Sequence, residues 1–183
     1  MTGRGVADEL RTARLWLRRW RAGDEGPLAA INEDPEVTRY LNRAIDRGAT
    51  AAFYTDVQEH WAEHGFGFYA VESIEDGPGG GFIGFVGVAH PTFVPELAAR
   101  PELGWRLARH AWGRGLATEA ARAVRDHAFE RLALRELISI VHPDNARSQR
   151  VATKLGMTAG ERVRIPALER EADVWRLASP HPR

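Results

Sequence analysis

The stretch ELGWRLARHAWGRGLATEAARAVRDHAFER, residues 102–131, constrains this chain more than any other. Its opening, ELGWRL, reads as a strand. Its later part carries Leu116, Ala120, Val124 and Ala128 at four-residue spacing, the apolar stripe of a helix packed on a core. Between them stand Gly113, Gly115 and Ala117. Glycines between a strand and a helix let backbone N–H groups point into one space, and the helix N-terminus adds partial positive charge there. Such a turn can hold a phosphate without any side chain, and Arg109 and Arg114 can add charge-assisted contacts. The same glycines also serve an ordinary tight turn. Spacing alone leaves both uses open.

Two better-known phosphate loops do not fit. There is no Gly-Lys-Ser/Thr, so the turn is not a P-loop. Gly113-x-Gly115-x-x-Thr118 lacks a third glycine or alanine, and no second βαβ unit follows, which argues against a Rossmann site.

The rest of the chain surrounds this unit with short elements. ARLWLRRW, residues 13–20, alternates apolar and basic side chains and reads as a first strand, with its arginines on a solvated face. Asp24 is placed to cap a helix whose first turn holds Pro27, and DPEVTRYL suggests a further short helical turn. Thr50 begins a helix through about His64, with Phe53, Val57 and Trp61 inward and Gly65 closing it. GFGFYAVESI and GFIGFVGVAH are strands joined by a hairpin loop at EDGPGG. RELISIV reads as a buried strand, DNARSQRVATKLG as a capped helix closed by Gly156, and RVRI and ADVWRLA as two last strands. Residues 1–183 read as one α/β domain with mixed strand order.

Composition narrows the classes. A chain of 183 residues with 44% hydrophobic residues can bury a core. Acidic and basic residues balance at 25 each, so no net charge draws the protein to nucleic acid or membrane. There is no cysteine, which excludes a thiol nucleophile, thiolate metal sites and disulfides; no metal site is expected. The first twenty residues hold no apolar run of signal-peptide length, and no stretch is long enough to span a bilayer, so a cytoplasmic protein is expected.

A second constellation is HPDNARSQRVATKLGM, residues 142–157. Asp144 or Asn145 can cap its helix, and Ser148 falls in the first turn. If the preceding strand lies beside ELGWRL, two helix N-termini sit at the same end of adjacent strands, a crevice that ligands favour.

ELGWRLARHAWGRGLATEA followed by HPDNARSQRVATKLGM resembles the acetyl-CoA-binding core of the GNAT N-acetyltransferases, and RLWLRRWRAGDEGPLAAINEDPEVTRYL resembles the branch that contains the ribosomal-protein alanine N-acetyltransferases. The family pattern is Arg/Gln-x-x-Gly-x-Gly/Ala. Gly113 and Gly115 match it, and His110 departs at the first position. The resemblance implies an α/β (α+β) fold with a mixed, mostly antiparallel sheet whose central strands splay apart, flanked by helices. It implies acetyl-CoA as cosubstrate, with the pantetheine arm in the splay and the pyrophosphate on the turn from His110 to Ala117. Cofactor contacts are expected from Trp105, Leu107, His110, Gly113, Arg114, Gly115, Leu116, Ala117, Thr118, Asn145 and Ser148. A homodimer is a family expectation.

Acetyl transfer to an amine requires loss of an amine proton, donors for a tetrahedral oxyanion, and a hydrogen bond or proton for the leaving thiolate. A backbone N–H between Trp105 and Leu107 can serve the oxyanion. Glu102 is the candidate base, on the strand where related enzymes use a glutamate, often through water. His142 is its rival, since an imidazole titrates near neutral pH. Ser148 is the candidate donor to the thiol; the position one turn later, where many relatives carry tyrosine, reads Val151-Ala152-Thr153. The acceptor pocket is expected near residues 32–40 and the strand GFGFYAVE, and its amine is either a protein N-terminus or a small molecule. The competing expectation is a non-catalytic acyl-CoA-binding or regulatory domain.

Overall fold

The protein, a computed structural model, is described over residues 9–41, 45–75, 81–165 and 169–180. Eight strands form one sheet: β1 (Glu9–Arg11), β2 (Leu15–Arg18), β3 (Phe68–Ser73), β4 (Phe82–Ala89), β5 (Glu102–Leu107), β6 (Glu136–Val141), β7 (Thr158–Ile165) and β8 (Arg170–Ala178). Their order across the sheet is β1-β2-β3-β4-β5-β6-β8-β7. Every neighbouring pair is antiparallel except β5 and β6, at the centre. This is the mixed, mostly antiparallel sheet that the family resemblance implies. The helices are α1 (Glu25–Glu33), α2 (Pro35–Thr38), α3 (Arg47–His64), α4 (Leu116–Glu130) and α5 (Ala146–Lys154).

Helices cover both faces. Trp105 and Arg106 are consecutive in β5, so their side chains leave opposite faces. The Trp105 indole reaches Ser148 of α5 at 3.3 Å, and the Arg106 guanidinium reaches Asn32 of α1 at 2.8 Å. α5 therefore lies on one face and α1 on the other. α4 packs beside α5, against β4 and β5, through the stripe of Leu116, Ala120, Val124 and Ala128, all buried.

Several elements differ from their expected bounds for local reasons. β1 was not foreseen; its three residues pair with β2 from Glu9↔Arg18 to Arg11↔Trp16. α3 begins three residues earlier than Thr50, because the Asp46 carboxylate caps it by accepting the Ala49 N–H at 2.7 Å. Gly65 closes it at φ 75°, as predicted. The loop expected at EDGPGG falls, beyond Glu75, outside the described residues, but β3 and β4 pair antiparallel on either side of it.

The arginine run corrects an expectation. Arg18 is not on a solvated face: it is 5% exposed. Two of its nitrogens each meet an Asp24 oxygen at 2.8 Å, and its Nε meets Glu72 at 2.6 Å. Asp24 does stand at the N-cap of α1, yet its side chain makes no cap bond. It accepts Arg18 and the Arg21 N–H instead. A buried guanidinium is tolerated only when paired, and here the pairing is bidentate. The tryptophans of the run divide as a strand dictates. Trp20 is buried and donates to the Phe68 carbonyl, which the Trp61 indole also reaches. Trp16 lies between the Arg11 and Arg21 guanidinium groups, 4.6 and 4.7 Å from its ring centre.

The centre of the sheet opens like a fork. β5 and β6 share one registered pair, Glu102↔Ile138, beside which the Ile138 N–H donates to the Pro101 carbonyl. Beyond that pair side chains take over. The Ser139 hydroxyl donates to the Leu103 carbonyl at 2.6 Å, and the Glu102 carboxylate accepts the Ile140 N–H. The backbone groups of Pro101 and Leu103 point toward β6, so by alternation those of Trp105 and Leu107 face the same gap.

Candidate active site

The glycine turn closes the open end of the fork. Gly113 and Gly115 hold φ of 76° and 80°, a region that L-residues with a Cβ enter at a cost. A Cβ at Gly113 would meet nothing within 4 Å, and one at Gly115 only the tip of Arg14 at 3.7 Å. Backbone conformation, not crowding, thus requires glycine at both positions. α4 starts directly after Gly115 with no side-chain cap. Its first N–H groups are left for a ligand, with the helix dipole behind them. The turn is propped from behind: Arg14 donates to the Arg114 carbonyl at 3.0 Å and pairs with Glu119 of α4 at 2.6 Å.

A cleft of about 320 Å³ runs from this turn into the fork. Trp105, Leu107, Gly113, Gly115, Leu116, Ala117 and Thr118 line it along β5 and the start of α4, and Asn145 and Ser148 line it from α5. The structure therefore brings together nine of the positions expected to hold a cofactor. His110 and Arg114 stand apart. Neither lines the cleft; His110 is exposed in the turn before Trp112, and the Arg114 guanidinium pairs with Glu75. Arg109 likewise pairs with Asp34 at 3.1 Å.

The α5 side chains are ordered by short local bonds. Asn145 caps the helix by accepting the Ser148 N–H at 3.1 Å, so its carbonyl oxygen is engaged and its amide N–H groups remain. The Ser148 hydroxyl accepts the Trp105 indole N–H at 3.3 Å. With an acceptor site filled, its own hydrogen is free to donate into the cleft. Sequence reasoning missed the cations of this helix that line the cleft, Arg147, Arg150 and Lys154, and with them Val151. The cations' signal was the spacing of three and four, which gathers them on one helix face. The Arg147 guanidinium stacks 4.5 Å over the Trp112 ring, whose indole donates to the Leu107 carbonyl.

The cleft passes through the sheet. Trp105 and Arg106 both line it although they leave opposite faces, and so do Glu36, Val37, Tyr40 and Leu41 from the α2 side. Part of the expected acceptor region, residues 32–40, thus meets the opening.

Glu102 sits at the vertex of the fork and does not line the cleft. Its carboxyl is pushed up to about 7, first by burial, against the opposing pull of the Ile140 N–H and the Arg170 guanidinium. A carboxylate in that range exchanges protons at neutral pH. His142, the rival, stacks near the Tyr40 ring at 5.2 Å, but its Nδ1 accepts the Asp144 N–H at 3.1 Å within its own turn.

A third group was not read from the sequence at all. His60 and His64 of α3 meet His90, just past β4, with one ring nitrogen of each within 4.8 Å of the others. None of them lines the cleft. The four-residue spacing of the first two was the visible half of this signal.

A central sheet opened beside an uncapped helix N-terminus is a crevice that can take an anionic ligand. The chain belongs to the GNAT acetyltransferase family, whose domain model matches residues 14–158. The uncharacterized protein YkkB of Bacillus subtilis strain 168 is 31% identical over 157 residues, covering 85% of this chain and 88% of that one. The crystal structure of an acetyltransferase from Agrobacterium tumefaciens strain C58 superposes with a TM-score of 0.80 at 32% identity, covering 93% of this chain and 94% of that one. The fold is also that of Mycobacterium smegmatis RimJ in complex with CoA-disulfide, with a TM-score of 0.69 at 18% identity, covering 90% of this chain and 82% of that one.

Proposed function

We propose that this protein transfers an acetyl group from acetyl-CoA to a primary amine by direct attack in a ternary complex. The observation that carries this reading is the cleft through the fork. On one side it meets the glycine turn, Trp105 and Ser148; on the other it meets Tyr40 and Arg106. A donor and an acceptor can therefore approach one point from opposite faces.

The residues divide the work by their chemistry. The amides of Gly113 to Thr118 bind the pyrophosphate, and Arg147, Arg150 and Lys154 complement its charge. The arm lies along the free edge of β5, where the Trp105 N–H donates to the thioester oxygen as it becomes an oxyanion. Glu102 accepts the amine proton, through water because it stands back from the cleft. The new N–C bond forms, the C–S bond breaks, and the departing sulfur receives a hydrogen bond from Ser148. The CoA-disulfide bound by the M. smegmatis neighbour supports the choice of donor. The acceptor is a protein N-terminus or a small amine.

Protein mixed with acetyl-CoA and a panel of α-amino peptides, polyamines and aminoglycosides releases free CoA thiol with at least one of them. Tight acetyl-CoA binding with no turnover across the panel would leave the non-catalytic acyl-CoA-binding domain as the better reading.

A further inference from the structure

The end of α3 and the end of β4 bring three imidazoles into one cluster outside the cleft. His60 and His64 lie one helical turn apart, and His90 follows Ala89. His60 Nε2 and His90 Nδ1 are 3.2 Å apart. Two nitrogens each about 2.0–2.1 Å from a tetrahedral zinc ion stand roughly 3.3 Å apart, so the pair already has the spacing of two ligands.

The tautomer of His60 suits the same purpose. Its Nδ1 lies 2.8 Å from the Phe66 carbonyl and must donate to it, which leaves a lone pair on Nε2, facing His90. Imidazoles bound to metals are oriented by this kind of bond from the other ring nitrogen. Nε2 accepts the His90 N–H at 3.1 Å, a bond that a metal ion would displace. The third ring, His64, is exposed and packs 4.4 Å from His60 and 4.7 Å from His90, centre to centre. The Glu63 carboxylate lies 3.7 Å from His64 Nε2, close enough to attract a cation or to supply an oxygen. Burial lowers His60 and His90, and the neighbouring ring adds to it. For these two rings that favours the neutral form, the one that binds metal.

We propose that His60, His64 and His90 form a binding site for a first-row divalent metal ion, with Zn²⁺ as the ion that fits it, fastening the end of α3 to the end of β4. All-nitrogen ligation suits zinc, nickel and copper and disfavours magnesium and calcium. Three protein ligands leave the fourth position to water or Glu63. The cluster is separate from the acyl-transfer cleft, and the inference does not depend on the reaction.

The test is direct metal binding by tag-free protein stripped with a chelator. Equilibrium dialysis against Zn²⁺ should leave one zinc ion per chain, and dialysis against Mg²⁺ or Ca²⁺ should leave none. Co²⁺ should give the visible absorption of a tetrahedral site. The exposed His64→Ala variant keeps its fold, checked by circular dichroism, and should bind zinc at least about 100-fold more weakly, beyond what losing a supporting hydrogen bond costs a metal site. His90→Ala should behave alike. No retained zinc in the parent protein, or unchanged zinc affinity in the His64→Ala/His90→Ala double variant, would overturn the proposal.

Discussion

The indole N–H of Trp105 donates to the hydroxyl of Ser148 at 3.3 Å, joining β5 to α5 across the open end of the fork. This contact fills one of the two acceptor sites of the hydroxyl and leaves its hydrogen to be donated elsewhere. The consequence is a hydroxyl at the cleft wall with a hydrogen available to a ligand there.

Ser148→Ala should slow turnover about 10- to 150-fold, the rate equivalent of the roughly 1.5–3 kcal/mol carried by a hydrogen bond to a charged group. KM for acetyl-CoA should stay near the parent value, since the bond strengthens only as the sulfur gains charge. Steady-state kinetics separate the two. An unchanged kcat would remove Ser148 from the chemistry.

Glu102 gives two linked pH effects. In the parent protein kcat/KM should rise with pH through about 7 as the carboxyl loses its proton. Glu102→Gln should lose that limb and fall about 100- to 10,000-fold, the usual worth of a general base. Stability moves the other way. The folded state holds this proton more tightly than the unfolded chain, whose carboxyl titrates at its ordinary value of 4.5. Stability therefore falls as pH rises from about 4.5 to about 7, and Glu102→Gln should flatten the curve in that window. Urea titrations at several pH values check the slope.

Asp24→Ala should cost about 3 kcal/mol, because it takes the bidentate partner from the buried Arg18 guanidinium and leaves Glu72 alone to pair it. The joint replacement Arg18→Met/Asp24→Leu should recover only part of that loss, since it removes two of the three charges and leaves the Glu72 carboxylate without its arginine. Denaturation midpoints of the single and double variants measure it. Equal losses in the two would point to packing, not charge.

Gly115→Ala should destabilise the protein by about 1–2 kcal/mol, the cost of a Cβ at a left-handed φ. No clash adds to it, since only the tip of Arg14 comes near. The larger effect should fall on acetyl-CoA affinity, read by calorimetry, because relieving the strain re-aims the amides of the turn.

The parts of the fold that were legible in the sequence are those where one local rule decides. The stripe of α4 and the αL ends at Gly65 and Gly156 follow from spacing and residue type, while the cap of α5, open between Asp144 and Asn145 in the sequence, falls to Asn145. The glycine turn was ambiguous by spacing and became specific through its place between β5 and α5. What the sequence hid depends on distant partners. Arg18 reads as a surface cation until Glu72, 54 residues away, is seen beside it. His90 reads as a strand end until α3 brings two more rings to it. Glu102 is picked out as a candidate base by resemblance, but its raised proton affinity is hidden, since it comes from burial at the fork.

The fork also sets how the molecule divides. Backbone pairing joins its two halves at a single residue pair, Glu102↔Ile138. One half is the meander β1 to β5 with α4 packed on it, and the other runs from β6 through β8. The short link at residues 131–135, half-buried at Leu132 and Leu134, carries the chain across the seam between α4 and β6. Severed there, the halves become two modules that must find each other through side chains. A ligand lying in the gap then acts as a guest strand, so its affinity and the reassembly of the halves are one equilibrium, and binding should raise the concentration of denaturant that parts them.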